Sequence, residues 1–222
     1  MILAAYAAAQ KIFTPPFRAV LWKTLGFTLL ILILIWVGLD KFLISFVAVP
    51  YPWLATTLSI LTGIGLVFGL AFLVAPVSSL VAGFYLDELA DIVEREISPG
   101  HVGTALPVGL AVRVSGVFAL VSVGVNIIAL LLLLIPGVNL IAFIGANAYL
   151  LGREYFELAA LRYRPLAEVQ QMRKRHGLYL FICGLPIAAF VSIPILNLLT
   201  PLFATAFMVQ IHARMERTQF PK

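Results

Sequence analysis

Ile135-Pro136-Gly137-Val138-Asn139-Leu140 recurs 58 residues later as Ile193-Pro194-Ile195-Leu196-Asn197-Leu198, and each copy interrupts a long apolar stretch. Proline donates no backbone hydrogen bond and pushes the residue before it out of the α region, so each copy ends one helix. The asparagine is well placed to start the next. The repeat predicts two helical hairpins of one design, with Pro136, Gly137 and Asn139 at one tip and Pro194 and Asn197 at the other. Paired hydrophobic segments broken at corresponding positions point to the working part of a membrane transport protein.

The composition around the repeat is that of a membrane protein. Hydrophobic residues are 62% of the chain and charged ones 11%, and residues 42–86, 114–152 and 177–213 contain no Asp, Glu, Lys or Arg. A soluble domain carries about 25% charged residues and could not solvate such runs, whereas about 20 apolar residues cross a bilayer core. No polar linker divides the chain, so residues 1–222 read as a single membrane domain. Cys183 is the only cysteine, which rules out an intrachain disulfide and suggests a packed thiol.

Lys11, Arg18 and Lys23 precede the first long apolar run, and the start does not read as a cleaved signal. The alanine-rich residues 4–9 predict a short interfacial helix. Residues 24–75 predict two long transmembrane helices turning at Pro50-Tyr51-Pro52, with Tyr51 and Trp53 in an aromatic belt and Asp40 and Lys41 at the far end of the first helix. Residues 77–97 predict an amphipathic helix stopped by Ser98-Pro99-Gly100. The helix lies along the membrane surface or packs on a partner, and its acids, Asp87, Glu88 and Asp91 among them, read as a solvated face or as a functional acidic site.

The hairpins occupy residues 114–152 and 177–211, joined by a basic cytoplasmic segment, 153–176. The second arm of the first hairpin has 14 apolar residues, about 21 Å of helix against a bilayer core of roughly 30 Å. Two readings stay open. The hairpins re-enter, with tips that protein or a wet cavity must cover, or they span a locally thinned bilayer. The basic residues all fall on one side of such a topology, while Pro50 to Pro52 and the two tips carry no charge, so both termini are expected in the cytoplasm. The net charge of +5 fits anionic lipid or a small anion as partner, with no nucleic acid expected.

The chain resembles the CysZ-type sulfate permeases, the bacterial branch of the etoposide-induced-protein-2.4-like membrane family. The resemblance lies in Ala75-Pro76 leading to Leu86-Asp87-Glu88-Leu89, in Ile135-Pro136-Gly137-Val138-Asn139 followed by Arg153-Glu154-Tyr155-Phe156, and in Ile193-Pro194-Ile195-Leu196-Asn197 with the last helix. It implies an all-α bacterial inner-membrane protein with half-inserted hairpins and homo-oligomeric assembly that admits sulfate for cysteine synthesis. It also implies an anion site where the family has Pro-Gly-x-Arg-Arg. Here that stretch reads Pro15-Pro16-Phe17-Arg18-Ala19, placing Phe17, Arg18 and Ala19 at the site. Arg18 keeps one basic position, Pro16 stands for the glycine and Ala19 for the second arginine.

A passive anion permease or channel is the leading expectation. No P-loop occurs, and the apolar runs lack the carboxylates and histidines of a proton relay. The alternative is a membrane scaffold or quality-control factor without transport activity. An enzyme is not expected, and neither is a cofactor or metal. His101, His176 and His212 are isolated in sequence, Cys183 lies two helical turns from His176, and Gly100-His101-Val102-Gly103 reads as a flexible connector.

Overall fold

A computed structural model of the chain describes residues 1–46, 81–98, 100–132 and 139–219, with single positions between 53 and 77. Among the described residues the regular structure is helical, as expected. Two compact units are present, one formed by Met1–Arg18 with Tyr85–Lys222 and the other by Ala19–Phe84.

Helix α1 (Ile2–Lys11) precedes α2 (Pro15–Phe46), which begins on two prolines because the first helical turn needs no N–H donors. The 32 residues of α2 measure about 48 Å at 1.5 Å per residue. Its portion Pro15–Leu39 is long and apolar enough to cross a membrane by length and composition. Of the predicted second long helix only scattered positions are described, and the tip residues Pro136 and Gly137 lie outside the described residues.

In the larger unit the chain continues through α3 (Leu86–Ile97), α4 (Val108–Leu132), α5 (Asn139–Ala160), α6 (Leu166–Arg175), α7 (Gly177–Ser192), α8 (Pro194–Asn197) and α9 (Thr200–Gln219). The residues before Asn139 lie outside the described ones, so only the second copy of the repeat shows how its proline and asparagine are used. Ile193 is extended, as a residue before proline should be, and Pro194 starts the four-residue α8. Asn197 closes that turn, and the next helix waits for Thr200. Proline at a first helical position nucleates a turn of its own, so Asn197 does not initiate the return helix.

Helix α5 also runs past the apolar arm, through Arg153 to Ala160, so its 22 residues reach about 33 Å. The basic segment, residues 153–176, is largely helical, with α5 ending inside it and α6 following. The chain bends by 89° between α6 and α7.

Helix α9 is the core. Every residue from Thr200 to His212 is buried, because α1, α3, α5 and α7 all pack against it. Phe203 stacks between Phe190 of α7 at 4.0 Å and Phe207 of α9 at 5.6 Å. The return arm of the second hairpin therefore takes its cover from its own chain. Of the small residues on the hairpins, Ala148, Ala204 and Ala206 are likewise spent inside the chain, while a side chain at Gly145 would meet open space.

Helices α5 and α7 cross most closely at Gly184 and Gly152. A methyl on Gly184 would overlap the Ala148 carbonyl oxygen, and one on Gly152 would press on the Leu180 carbonyl. Small residues at such a crossing let two backbones meet. Gly184→Ala is expected to destabilise the fold by about 1–3 kcal/mol through overpacking, and Gly145→Ala, which meets nothing, to leave it unchanged. Thermal unfolding in mild detergent measures both, and equal melting temperatures would show that α5 and α7 do not cross there.

Candidate functional site

Asp87, Asp91 and Glu94 recur at i, i+4 and i+7 of α3 and therefore share one helix face. That face is not left to solvent. Arg162, in the turn after α5, reaches all three with a guanidinium that is 2% exposed. Its Nε donates to Glu94 Oε1 at 2.9 Å and its Nη2 to Glu94 Oε2 at 3.1 Å, a forked pair; Nη1 and Nη2 donate to Asp87 and Asp91. Burial opposes the charge of Arg162, but the hydrogen bond and charge of Glu94, then Asp91 and Asp87, outweigh it and hold its pKa above the ordinary value. Glu94 is as deeply buried as the arginine, whereas the two aspartates stay about half in water, where their charge is screened.

The same clamp fixes the loop expected to be a flexible connector. Gly103 N–H donates to Glu94 Oε2 at 2.9 Å, and Thr104 N–H donates to the Arg162 carbonyl at 2.9 Å. A Cβ on Gly103 would lie 2.6 Å from Arg162 Cβ, so only glycine admits this approach. With the loop held, His101 stacks on Tyr163 at 5.3 Å, Tyr163 stacks on His212 at 5.2 Å, and the Tyr163 hydroxyl donates to the His101 carbonyl. Two histidines 111 residues apart in sequence thus meet through one tyrosine.

These side chains line a cavity of about 650 Å³ that Glu94, Ser98, Glu216 and Arg217 complete. Arg217 donates to the Ile97 carbonyl at 2.8 Å, placing a cation on the last turn of α3. Arg164 donates to Glu216 Oε1 at 2.6 Å and keeps the Glu216 carboxyl below its usual pKa. The apolar run of α9 ends at Ile211. His212 follows, buried between Phe156 and Tyr163, and its Nε2 makes no hydrogen bond among the described residues; the nearest carboxylate, Glu216, stands 3.5 Å away. Burial pushes its pKa down to about 4, against the opposing charge of Glu216. The cavity therefore offers a neutral imidazole nitrogen, a tyrosine and carboxylates already paired with arginines. It is suited to holding a small polar group. Among the described residues no cluster of His, Cys, Asp and Glu has the geometry of a metal site.

The anion-site residues named from the sequence lie elsewhere, in the first turns of α2. Arg18 and Ala19 are exposed, and the Phe17 side chain is completely buried. Pro15 and Pro16 have no N–H and Arg18 N–H is taken by the Thr14 carbonyl at 2.9 Å, so Phe17 supplies the N–H of that first turn without an intrahelical acceptor. Arg18 pairs with no carboxylate among the described residues, unlike Arg153, Arg162, Arg164 and Arg173. Cys183 is buried.

Sequence reasoning missed the clamp and the stack. The available signal was the i, i+4, i+7 acidic spacing in a chain with so few charges, which calls for a cation; nothing in a single sequence names Arg162 as that cation.

A family profile described as sulfate transporter CysZ/etoposide-induced protein 2.4 matches residues 4–201. Among curated proteins no match was found.

The His212 environment sets a pH dependence. Its folded pKa is depressed, so the unfolded chain binds the proton more readily between about pH 6.5 and 4, and stability falls as pH falls through that window. Going from pH 7 to pH 5 is expected to cost about 2 kcal/mol, with the paired Glu216 carboxylate lost at lower pH adding in the same direction. In His212→Gln the loss between pH 7 and pH 5 should largely vanish in thermal melts. An equal acid loss in both proteins would refute the assignment.

Proposed function

The chain belongs to the sulfate transporter CysZ/etoposide-induced protein 2.4 family, matched from residue 4 to residue 201, and on that premise we propose that it is a passive sulfate permease or channel of the bacterial inner membrane that supplies sulfate for cysteine biosynthesis. The family match is the observation that carries this reading. Arg18 supports it, as an exposed cation beside the Phe17 N–H, which has no intrahelical acceptor, at the start of a helix whose length and apolarity suit a full crossing. One arginine and one N–H grip a dianion less firmly than a paired-arginine, glycine-bearing turn. Weak holding suits conduction, since an ion must leave its site as readily as it arrives.

In this reading the termini face the cytoplasm with the basic residues of α1, α6 and α9, the two repeat tips lie within the bilayer, and copies of the chain assemble around the first hairpin, whose Gly145 keeps an open face.

Two measurements test it. Radiolabelled sulfate should enter proteoliposomes without nucleotide or an imposed ion gradient, with phosphate, chloride and molybdate as competitors. Arg18→Ala should weaken sulfate binding by about 1.5–3 kcal/mol, the loss of a charge-assisted hydrogen bond. Unchanged affinity would remove Arg18 from the site, and the absence of flux would favour a scaffold. Separately, cysteines introduced at Val138 and Leu196 should resist a membrane-impermeant thiol reagent added from the side opposite the termini; rapid labelling of both would make the hairpins ordinary spanning pairs.

A further inference from the structure

The elbow between α6 and α7 joins two surfaces of opposite character. Helix α7 buries one face, Leu180, Cys183, Gly184, Ile187 and Ala188, against the chain. Its other face, Leu178, Ile182, Leu185 and Ala189, is exposed, followed one turn on by Ile193. Those positions are spaced by three or four residues and form one uninterrupted apolar stripe, about 22 Å from Leu178 to Ile193. Immediately before it, the last turn of α6 carries Arg173, Lys174 and Arg175. Arg173 is engaged by Glu157 at 2.7 Å, whereas Lys174 and Arg175 are exposed and paired with no carboxylate among the described residues. Arg214 of α9 exerts its charge on Tyr179 from the same neighbourhood.

An exposed apolar stripe on a helix of a membrane protein faces acyl chains, and the 89° bend turns α6 away from the axis of α7. Where α7 enters the bilayer, α6 lies along its surface, and the elbow falls at headgroup level. Two uncommitted cations at that level, three residues from the stripe, match a phosphate above an acyl chain in charge and in position. We propose that this elbow is a binding site for an anionic phospholipid, with the headgroup phosphate on Lys174 and Arg175 and an acyl chain along Leu178, Ile182 and Leu185. The site is independent of which anion the protein conducts.

Native mass spectrometry of the full-length protein in mild detergent, titrated with dioleoyl phosphatidylglycerol or dioleoyl phosphatidylcholine, tests the site without reading transport. The wild type should retain phosphatidylglycerol in preference to phosphatidylcholine. A cation near an anionic lipid surface is worth about fivefold, so Lys174→Gln with Arg175→Gln should lower phosphatidylglycerol affinity about thirtyfold and leave phosphatidylcholine adducts unchanged. Arg113→Gln, which removes an exposed cation on α4, should leave the preference intact. Leu178→Asn with Ile182→Asn should weaken both lipids, and millimolar inorganic phosphate should not displace phosphatidylglycerol. Equal retention of the two lipids by the wild type would overturn the proposal, as would a double glutamine variant, helical by circular dichroism, that keeps the preference. Displacement by phosphate would identify a simple anion site instead.

Discussion

A guanidinium almost wholly removed from water must be hydrogen-bonded and neutralised, and Arg162 meets that demand through α3. Removing one partner of a buried pair of this kind leaves an uncompensated charge, typically at a cost of about 3–5 kcal/mol, so Glu94 and Arg162 are bound to each other's presence. From this pairing follow the orientation of α3, the path of residues 100–104, the approach that only Gly103 permits and the placement of Tyr163 between two histidines. The cavity depends on the clamp, since its lining includes Glu94, which Arg162 binds, and Tyr163, which follows Arg162 in sequence.

Local rules foretold the helix breaks well, because proline and glycine act within a few residues. Ile97 ends α3 before Ser98-Pro99-Gly100, and Ile193 is extended before Pro194, as backbone sterics require. The mixed apolar and charged composition that marks α3 as amphipathic fits its structure, in which Leu89 and Val93 are buried. What could not be read was pairing at long range. The acids of α3 read as solvated in the sequence because their cation stands 68 to 75 residues away. His101 and His212 read as isolated because no spacing rule links residues that meet through a third ring. The fate of Asn197 was a local misreading, in which the preference of asparagine for helix starts was outweighed by that of proline for the first helical position.

Two regions of the larger unit thus carry different kinds of charge. Around Arg162, Arg164 and Arg173 the cations are committed to carboxylates, and their contribution is to hold helices together. Arg18, Lys174 and Arg175 are exposed and lack carboxylate partners among the described residues. In a chain this poor in charge, that division separates the groups that build the fold from those available to solutes and lipids.

The burial of α9 from Thr200 to His212 has a consequence for folding. Its partners include α1, which lies far earlier in the chain. Contacts between segments so distant in sequence carry a large loop-closure cost and form only after everything between them has been made. Until then α1 keeps the face of Ala4 and Ala8 uncovered, and the groove between α5 and α7 stands open. The packing of this unit is therefore completed only when α9 arrives. A chain in which α9 is missing or unplaced would expose the interior surfaces that it fills, a signature on which membrane chaperones and proteases act.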